Sequence, residues 1–573
     1  MNIKNILFRT FAATALIWAV ACEKPEMNDE NGGGDSPAVE INVINGTSIE
    51  EGNNLVGLVS DSSTGKGIEG IAVSDGYSVV KTDKNGVYQF ESNRYARYVF
   101  ISIPSEYKVP MDKNMKPAFY KNGISRNTTN RNDFILDPLA ENEDNFTLIA
   151  IGDPQVKTSA HISRYKNETI ADIRSTLNVN QAKGRYTKAY AVTLGDIIHD
   201  TPNLWDAMVE TMQNVKIGSG YLPVFQCIGN HDHNAKASSD LSATTEYVDH
   251  YGPTDYSFNR GKVHVVVMDN IVCTTTNGST WTYDAGFSKS QYNWLKADLN
   301  AVRNKADMMV ILCCHIPFRG GSNSGGSNVN KDKYYAETLA LLKEFNEAHI
   351  MIGHTHYPQN YRHTGYTSKN GLPIYEHVHG GACGGWWSSN MNVDGAPNGY
   401  SIYEIEGNHM KNWLAKSTGF PEDFQMRVYN GNQTYTGGAG YTYNWYQNST
   451  GGTAKIQYRG RSFLKNAFVV SLWNDDDANW KVEFNYNGTS TPMTRVGSNV
   501  MDAAVVSYYF NECGKNTDSW TKALYHYWYI PSPNGIDPSQ LTGWSITATQ
   551  TIPGSKEVNV YATSSLQTDY SGF

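Results

Sequence analysis

The middle of the chain predicts an α/β fold, with β-rich segments on either side. Three observations carry this. Five apolar runs rich in β-branched residues, FTLIAI, AYAVTL, LPVFQCI, MMVILC and HIMI, read as buried strands. Segments with helical character lie between them. The flanks alternate apolar and polar residues and are punctuated by turn signals. A length of 573 residues fits about three domains rather than one.

In chain order, residues 1–22 read as a targeting segment. Lys4 and Arg9 give a basic start, LFRTFAATALIWAVA gives a short apolar core, and Ala19-Val20-Ala21-Cys22 resembles a lipoprotein processing box. Cys22 is the expected lipidation site; the simpler alternative is secretory cleavage after Ala21. Residues 23–40 are low in apolar content and rich in Gly, Asp and Glu, as in a flexible tether. No other run approaches the length of a spanning helix. The expected location is therefore the cell envelope, with the membrane met through the lipid anchor alone.

Residues 41–138 predict a small β-sandwich from LVGLVSD, IAVSDGYSVVKTD, GVYQFES and YVFISIP. The Asp83-Lys84-Asn85-Gly86 stretch followed by VYQF resembles transthyretin-like or carboxypeptidase-regulatory sandwiches. Its Asp-rich turn reads as a hairpin turn before a calcium site. Residues 142–418 carry the α/β pattern. Helices are expected over 170–184, 204–215, 288–304 and 332–346, with Ser288 as an N-cap. YSFNRGKVHVVVMDN reads as a hairpin crossing to a second sheet, which LPIYEHVHGGAC and YSIYEIEGNHMKNWLAK are expected to continue. Residues 419–573 predict a C-terminal β-rich domain from AFVVSLW, WKVEFNYNG, AAVVSYYF, ALYHYWYI and SITATQ, without helix.

The formal net charge of −9 argues against a nucleic-acid partner held by bulk charge. Tyrosine abundance (37 residues) fits extracellular β-structure or sugar-facing surfaces. Six cysteines follow Cys22; because Cys227, Cys313 and Cys314 lie inside strand runs, most read as buried small hydrophobes rather than a disulfide framework.

The chemistry sits just past the strands. The polar clusters are Gly152-Asp153-Pro154-Gln155, Gly195-Asp196, Gly229-Asn230-His231-Asp232, Cys314-His315 and Gly353-His354-Thr355-His356. Open α/β sheets build sites at the carboxyl ends of their strands. Five converging loops that carry carboxylates, imidazoles and amides suit a pair of divalent metals. One buried Asp or His is usually a cap or a satisfied core group; the set together points to a site.

These blocks, in this order and on these strands, resemble the calcineurin-like metallophosphoesterases. The resemblance covers about 142–383, and the flanks resemble the accessory domains of a bacterial lipoprotein branch. It implies a four-layer αββα sandwich and two divalent ions, of Mn, Fe, Zn or Mg. It assigns Asp153 and His356 to the first metal, Asp196 as the bridge, and Asn230, His315 and His354 to the second. Gln155 stands where an imidazole is commonest; its amide oxygen is a harder, weaker donor. His231 is the expected acid for the leaving oxygen. Asp232 either orients it or caps the following turn, while His199 or Asp200 stands where a carboxylate backs the histidine in other branches. Asn230 and Arg319 are candidate substrate contacts, Arg319 alternatively being a surface-loop residue. Trp386 and Trp387 line the pocket mouth or pack internally.

The implied function is metal-dependent hydrolysis of a small phosphate monoester or diester, with metal-activated water attacking phosphorus in line, by a monomeric enzyme outside the cytoplasm. The competing reading is a surface glycan-binding lipoprotein with a degenerate core.

Overall fold

A computed structural model describes residues 41–276, 281–319, 333–447, 458–476, 478–496, 500–515, 520–521, 524 and 526–573. The expected targeting segment, the expected tether and Cys22 lie outside the described residues, as do residues 320–332.

The central part is built from two mixed sheets. The first runs in the order Val224–Phe225, Ala189–Thr193, Asn145–Ile151, Gly399–Glu406 and His409–Ser417. Its first three strands are parallel and the last two antiparallel. The second runs Tyr256–Arg260, Val263–Val267, Met309–Cys313, Glu347–Ile352, Pro373–Val378 and Gln359–Thr367, with a parallel centre and antiparallel edges. The central strands are buried along their length, which is why they read as unbroken apolar runs rather than alternations. One core joins both sheets, from Leu148 and Val192 through Val265, Ile311 and Ile350 to Ile402 and Trp413.

Two expectations change here. The hairpin Gly399–Ser417 does not continue the second sheet; it pairs with Asn145–Ile151 and completes the first. Alternation gives the faces of a hairpin but not the sheet it joins. The first helix also starts earlier, at Ser159, capped by the Thr158 hydroxyl and running through a π-helical stretch, Lys166–Ile170, into Ala171–Gln181. Ser288 caps Lys289–Ala301 by accepting from Gln291 N–H, with the Gln291 side chain reciprocating at Ser288 N–H.

The N-terminal domain is a sandwich of two small sheets, one holding Leu55–Asp61 and Val87–Phe90, the other Ala72–Ser74 and Tyr98–Ile101. Asp83 accepts from the N–H groups of Asn85 and Val87 and from the Thr47 hydroxyl, the bonding of a hairpin turn. The C-terminal domain packs two four-stranded sheets around Phe468, Val470, Val482, Phe484 and Ile546. One segment expected as strand is helical: AAVVSYYF forms Ala503–Ser507 and a π-helical turn, Tyr508–Glu512. Asp502 caps it by accepting from Ala504 and Val505 N–H. Burial on every side removes the alternation that separates helix from strand in so short an apolar run. Among the described cysteines none is bonded to another, and Cys227, Cys313, Cys314 and Cys383 are buried. Residues 41–573 form one compact unit.

Candidate metal centre

Each polar cluster leaves a strand end through a sharp turn. Asp153, Gln155, Asp196, His354 and His356 all have left-handed backbone, with φ of 43, 41, 50, 70 and 56°. Such conformations cost of order 1 kcal/mol or more apiece in non-glycine residues and concentrate where function fixes a side chain. The turns brace one another: Gln155 N–H donates to Asp196 carbonyl at 2.7 Å, and Gly353 N–H to His315 carbonyl at 3.1 Å. Gly195 is obligatory, since a Cβ there would lie 2.5 Å from His315 Nδ1.

All seven predicted ligands face one another. Asn230 Oδ1 lies 3.1 Å from His315 Nε2 and 3.0 Å from His354 Nδ1, and the two ring nitrogens are 3.2 Å apart. Adjacent ligands about 2.1 Å from a six-coordinate ion stand about 3.0 Å apart. The triangle therefore has the edge lengths of one face of a coordination sphere. Asp196 Oδ1 is 3.3 Å from His315 Nε2. On the other side, Asp153, Asp196 and His356 bring ligand atoms within 4.8 Å of one another, with His356 Nε2 3.5 Å from Asp153 Oδ1. Asp196 belongs to both groups, as a bridging carboxylate requires. The donor set of two carboxylates, three imidazoles and two amides fits a pair of divalent cations. Gln155 turns its Nε2 to Asp196 Oδ2 at 3.1 Å. An amide flip, which exchanges only O and N, presents its oxygen to the same point.

The charges of the cluster act on one another. Burial opposes charge on Asp196, yet His315 and His231 hold its carboxyl well below the usual range. Burial likewise opposes charge on His315, but Asp196 overrides it and pushes the imidazole up to about 9. His354, buried beside His315, is pushed down to about 3.

Beyond the ligands, His231 N–H donates to Asp196 Oδ1 at 2.9 Å, and its Nδ1 lies 2.9 Å from Asp200 Oδ2. His199 stacks on the His231 ring at 4.2 Å. Asp200 is therefore the residue that orients His231. Asp232, grouped with His231 on sequence, has another place: its oxygens accept from the N–H groups of Ile197, Ile198 and Gly229 at 2.8–3.0 Å. It ties the Asn230 loop to the Asp196 loop, so its oxygens serve backbone N–H groups rather than the His231 ring. The Arg319 guanidinium lies 4.8 Å over the Tyr361 ring. His377 and His379 are buried core groups, bonded to His349 and to the Tyr403 hydroxyl respectively.

Several participants carried no sequence signal. His233 is buried between Gly229 carbonyl (2.8 Å) and Asp269 (3.1 Å), holding the back of the Asn230 loop. Cys383 Sγ lies 3.7 Å from His356 Nδ1 and 4.0 Å from Gln155 Oε1, behind the first-metal ligands. Tyr283 feels the charges of Asp196 and Asp200: burial first, then those carboxylates, push its hydroxyl up to about 12. Trp386 packs on His356 at 4.9 Å, and Trp387 Nε1 donates to Pro154 carbonyl at 2.9 Å. A cleft of about 690 Å³ between the N-terminal domain and residues 259–308 holds none of the ligands.

The family comparison agrees with this geometry. The chain matches the calcineurin-like phosphoesterase family over residues 146–358, its N-terminal domain over 53–139 and its C-terminal domain over 376–552. The chain belongs to the calcineurin-like phosphoesterases. None of the curated proteins matches it. Among solved structures it is similar to a purple acid phosphatase from yellow lupin (Lupinus luteus) seeds, at 14% identity, covering 48% of this chain and 51% of that one, with a TM-score of 0.32. It is also similar to a dimetal phosphatase from Danio rerio, at 15% identity, covering 48% of this chain and 96% of that one, with a TM-score of 0.30. The chain thus spans about half the length of the lupin enzyme.

Proposed function

We propose that this protein hydrolyses a small phosphate ester outside the cytoplasm, as a monomer tethered through Cys22. The observation that carries the catalytic part is the 3.0–3.2 Å triangle of Asn230, His315 and His354, joined through Asp196 to Asp153, Gln155 and His356. The targeting pattern before Cys22 and the acidic, glycine-rich stretch after it support the location.

Asn230, His315 and His354 would hold one divalent ion; Asp153, Gln155 and His356 the other; Asp196 both. Bound there, the ions supply charge neutralisation at the phosphoryl group and a lowered pKa for water. The chain does the rest. Asn230 offers its amide to a phosphoryl oxygen. His231 holds a proton for the leaving oxygen. Asp200, 2.9 Å from Nδ1, favours that proton. With Nδ1 committed to Asp200, Nε2 is the nitrogen that meets the leaving group. The left-handed turns keep these groups fixed before substrate arrives.

The test is hydrolysis of 4-nitrophenyl phosphate and bis(4-nitrophenyl) phosphate by the metal-loaded enzyme and by Asp196→Asn. Activity in the former and loss of at least about 10³-fold in the latter are expected. Near-normal rates in Asp196→Asn refute the assignment. Fractionation of cells producing the native chain and Cys22→Ala tests the anchor: membrane association only with Cys22 is expected.

A further inference from the structure

One feature beside the metal ligands is not explained by holding metal. Gly384, Gly385, Trp386 and Trp387 follow one another in left-handed backbone, at φ of 37, 46, 49 and 65°. Two of them are tryptophans, for which that conformation is strained. The turn is held from the C-terminal domain. A Cβ on Gly385 would lie 2.3 Å from Tyr509 Oη, and the Tyr509 hydroxyl bonds Met391 carbonyl and Ser389 Oγ, each at 2.7 Å.

The two indoles have different fates. Trp387 is buried, its Nε1 spent on Pro154 carbonyl. Trp386 stays half-buried, with its ring on His356 at 4.9 Å. Trp520, from the C-terminal domain and also half-buried, meets it edge-on at 4.5 Å and 80°. The Lys515 ammonium sits 4.0 Å over the Trp520 ring. Two indoles at a right angle thus form a corner beside a first-metal ligand, with a cation over the face of one of them. The strained turn aims a large aromatic surface at the metal pole and leaves part of it uncovered. Flat π-surfaces are the chemistry such a corner recognises, through offset and edge-to-face contacts.

We infer that Trp386 and Trp520 form a leaving-group subsite for phosphate esters whose alcohol carries a planar aromatic ring, so that the C-terminal domain sets substrate preference. This rests on the phosphoesterase reading above and names the substrate class for that site.

The probes are adenosine 5′-monophosphate and ribose 5-phosphate, which lose phosphate from the same primary oxygen and differ by the aromatic base. In the full-length, metal-loaded enzyme the adenosine ester is expected to be favoured in kcat/KM by about five- to tenfold. Trp520→Ala should bring that ratio within about twofold of one, and Trp520→Phe should keep most of it. A ratio near one in the native enzyme, or one unchanged in Trp520→Ala, overturns the inference. A binding arm needs no turnover: adenosine, and not ribose, should quench tryptophan fluorescence in the native protein and not in Trp520→Ala. If no ester, 4-nitrophenyl phosphate included, is hydrolysed, the phosphoesterase reading fails and the fluorescence arm alone decides the subsite. Equal quenching by adenosine and ribose then overturns it.

Discussion

Replacing His231 by glutamine removes the proton held beside the leaving oxygen while keeping a polar side chain of similar reach. The structure sets the scale. A positioned general acid is worth 10²–10⁴-fold, or about 3–5 kcal/mol of barrier. That benefit applies only when the departing oxygen needs a proton. His231→Gln is therefore expected to slow an alkyl phosphate by about 10²–10⁴-fold and 4-nitrophenyl phosphate by less than about tenfold. Asp200 supplies part of this effect through its 2.9 Å contact with His231 Nδ1. Its side chain is 52% exposed, so solvent screens the pair to about 1 kcal/mol or less. Loss of the ring's preferred tautomer adds a comparable amount, giving about a tenfold cost for Asp200→Asn on the alkyl ester. The assay is steady-state hydrolysis of both esters by metal-loaded native and variant enzymes with equal metal content. Equal losses on the two esters in His231→Gln would refute acid catalysis and return His231 to substrate binding or structure.

Asp232→Asn should act on stability, because a carboxylate accepting three buried N–H groups becomes an amide that cannot accept them all; a loss of about 1–3 kcal/mol in urea unfolding is expected, with the ratio of alkyl to nitrophenyl rates unchanged. Gly195→Ala should cost metal, since its Cβ would fall 2.5 Å from His315 Nδ1 at a φ of +88°; metal analysis should show the second ion reduced. The metal-free protein should lose stability as pH rises. His315 is raised from 6.5 to about 9 in the fold, so its contribution is complete below the unfolded value and lost through about 9. Metal affinity should climb over the same window, because that proton must leave before the nitrogen can ligate; denaturation with and without chelator at several pH values separates the two trends.

How much of this was legible in the sequence follows from what each feature depends on. The ligand loops were visible because a strand buried on both faces leaves an unbroken apolar run, and the polar cluster at its end has no other reason to recur. The N-terminal strands were visible through alternation and turn residues. The partner of His231 was not: whether Asp200 or Asp232 reaches the ring depends on Asp200 turning into left-handed backbone at a φ of 52°. His233, Cys383 and Tyr283 lie behind or across from ligands brought in from other strands, so nothing in their neighbours along the chain marks them. The same holds for Trp520, more than a hundred residues from the His356 it approaches through Trp386. The sheet joined by Gly399–Ser417 is decided by which edge strand is open, a property of the assembled fold.

The most direct test is the metal content of the purified full-length protein, measured by inductively coupled plasma mass spectrometry for the native chain, Asp196→Asn and His315→Ala. Two divalent ions per chain are expected in the native protein. Fewer than two are expected in each variant, with hydrolysis of 4-nitrophenyl phosphate falling alongside. A native chain that binds no stoichiometric metal after incubation with Mn, Fe, Zn or Mg, or variants that keep both ions and full activity, would contradict the account.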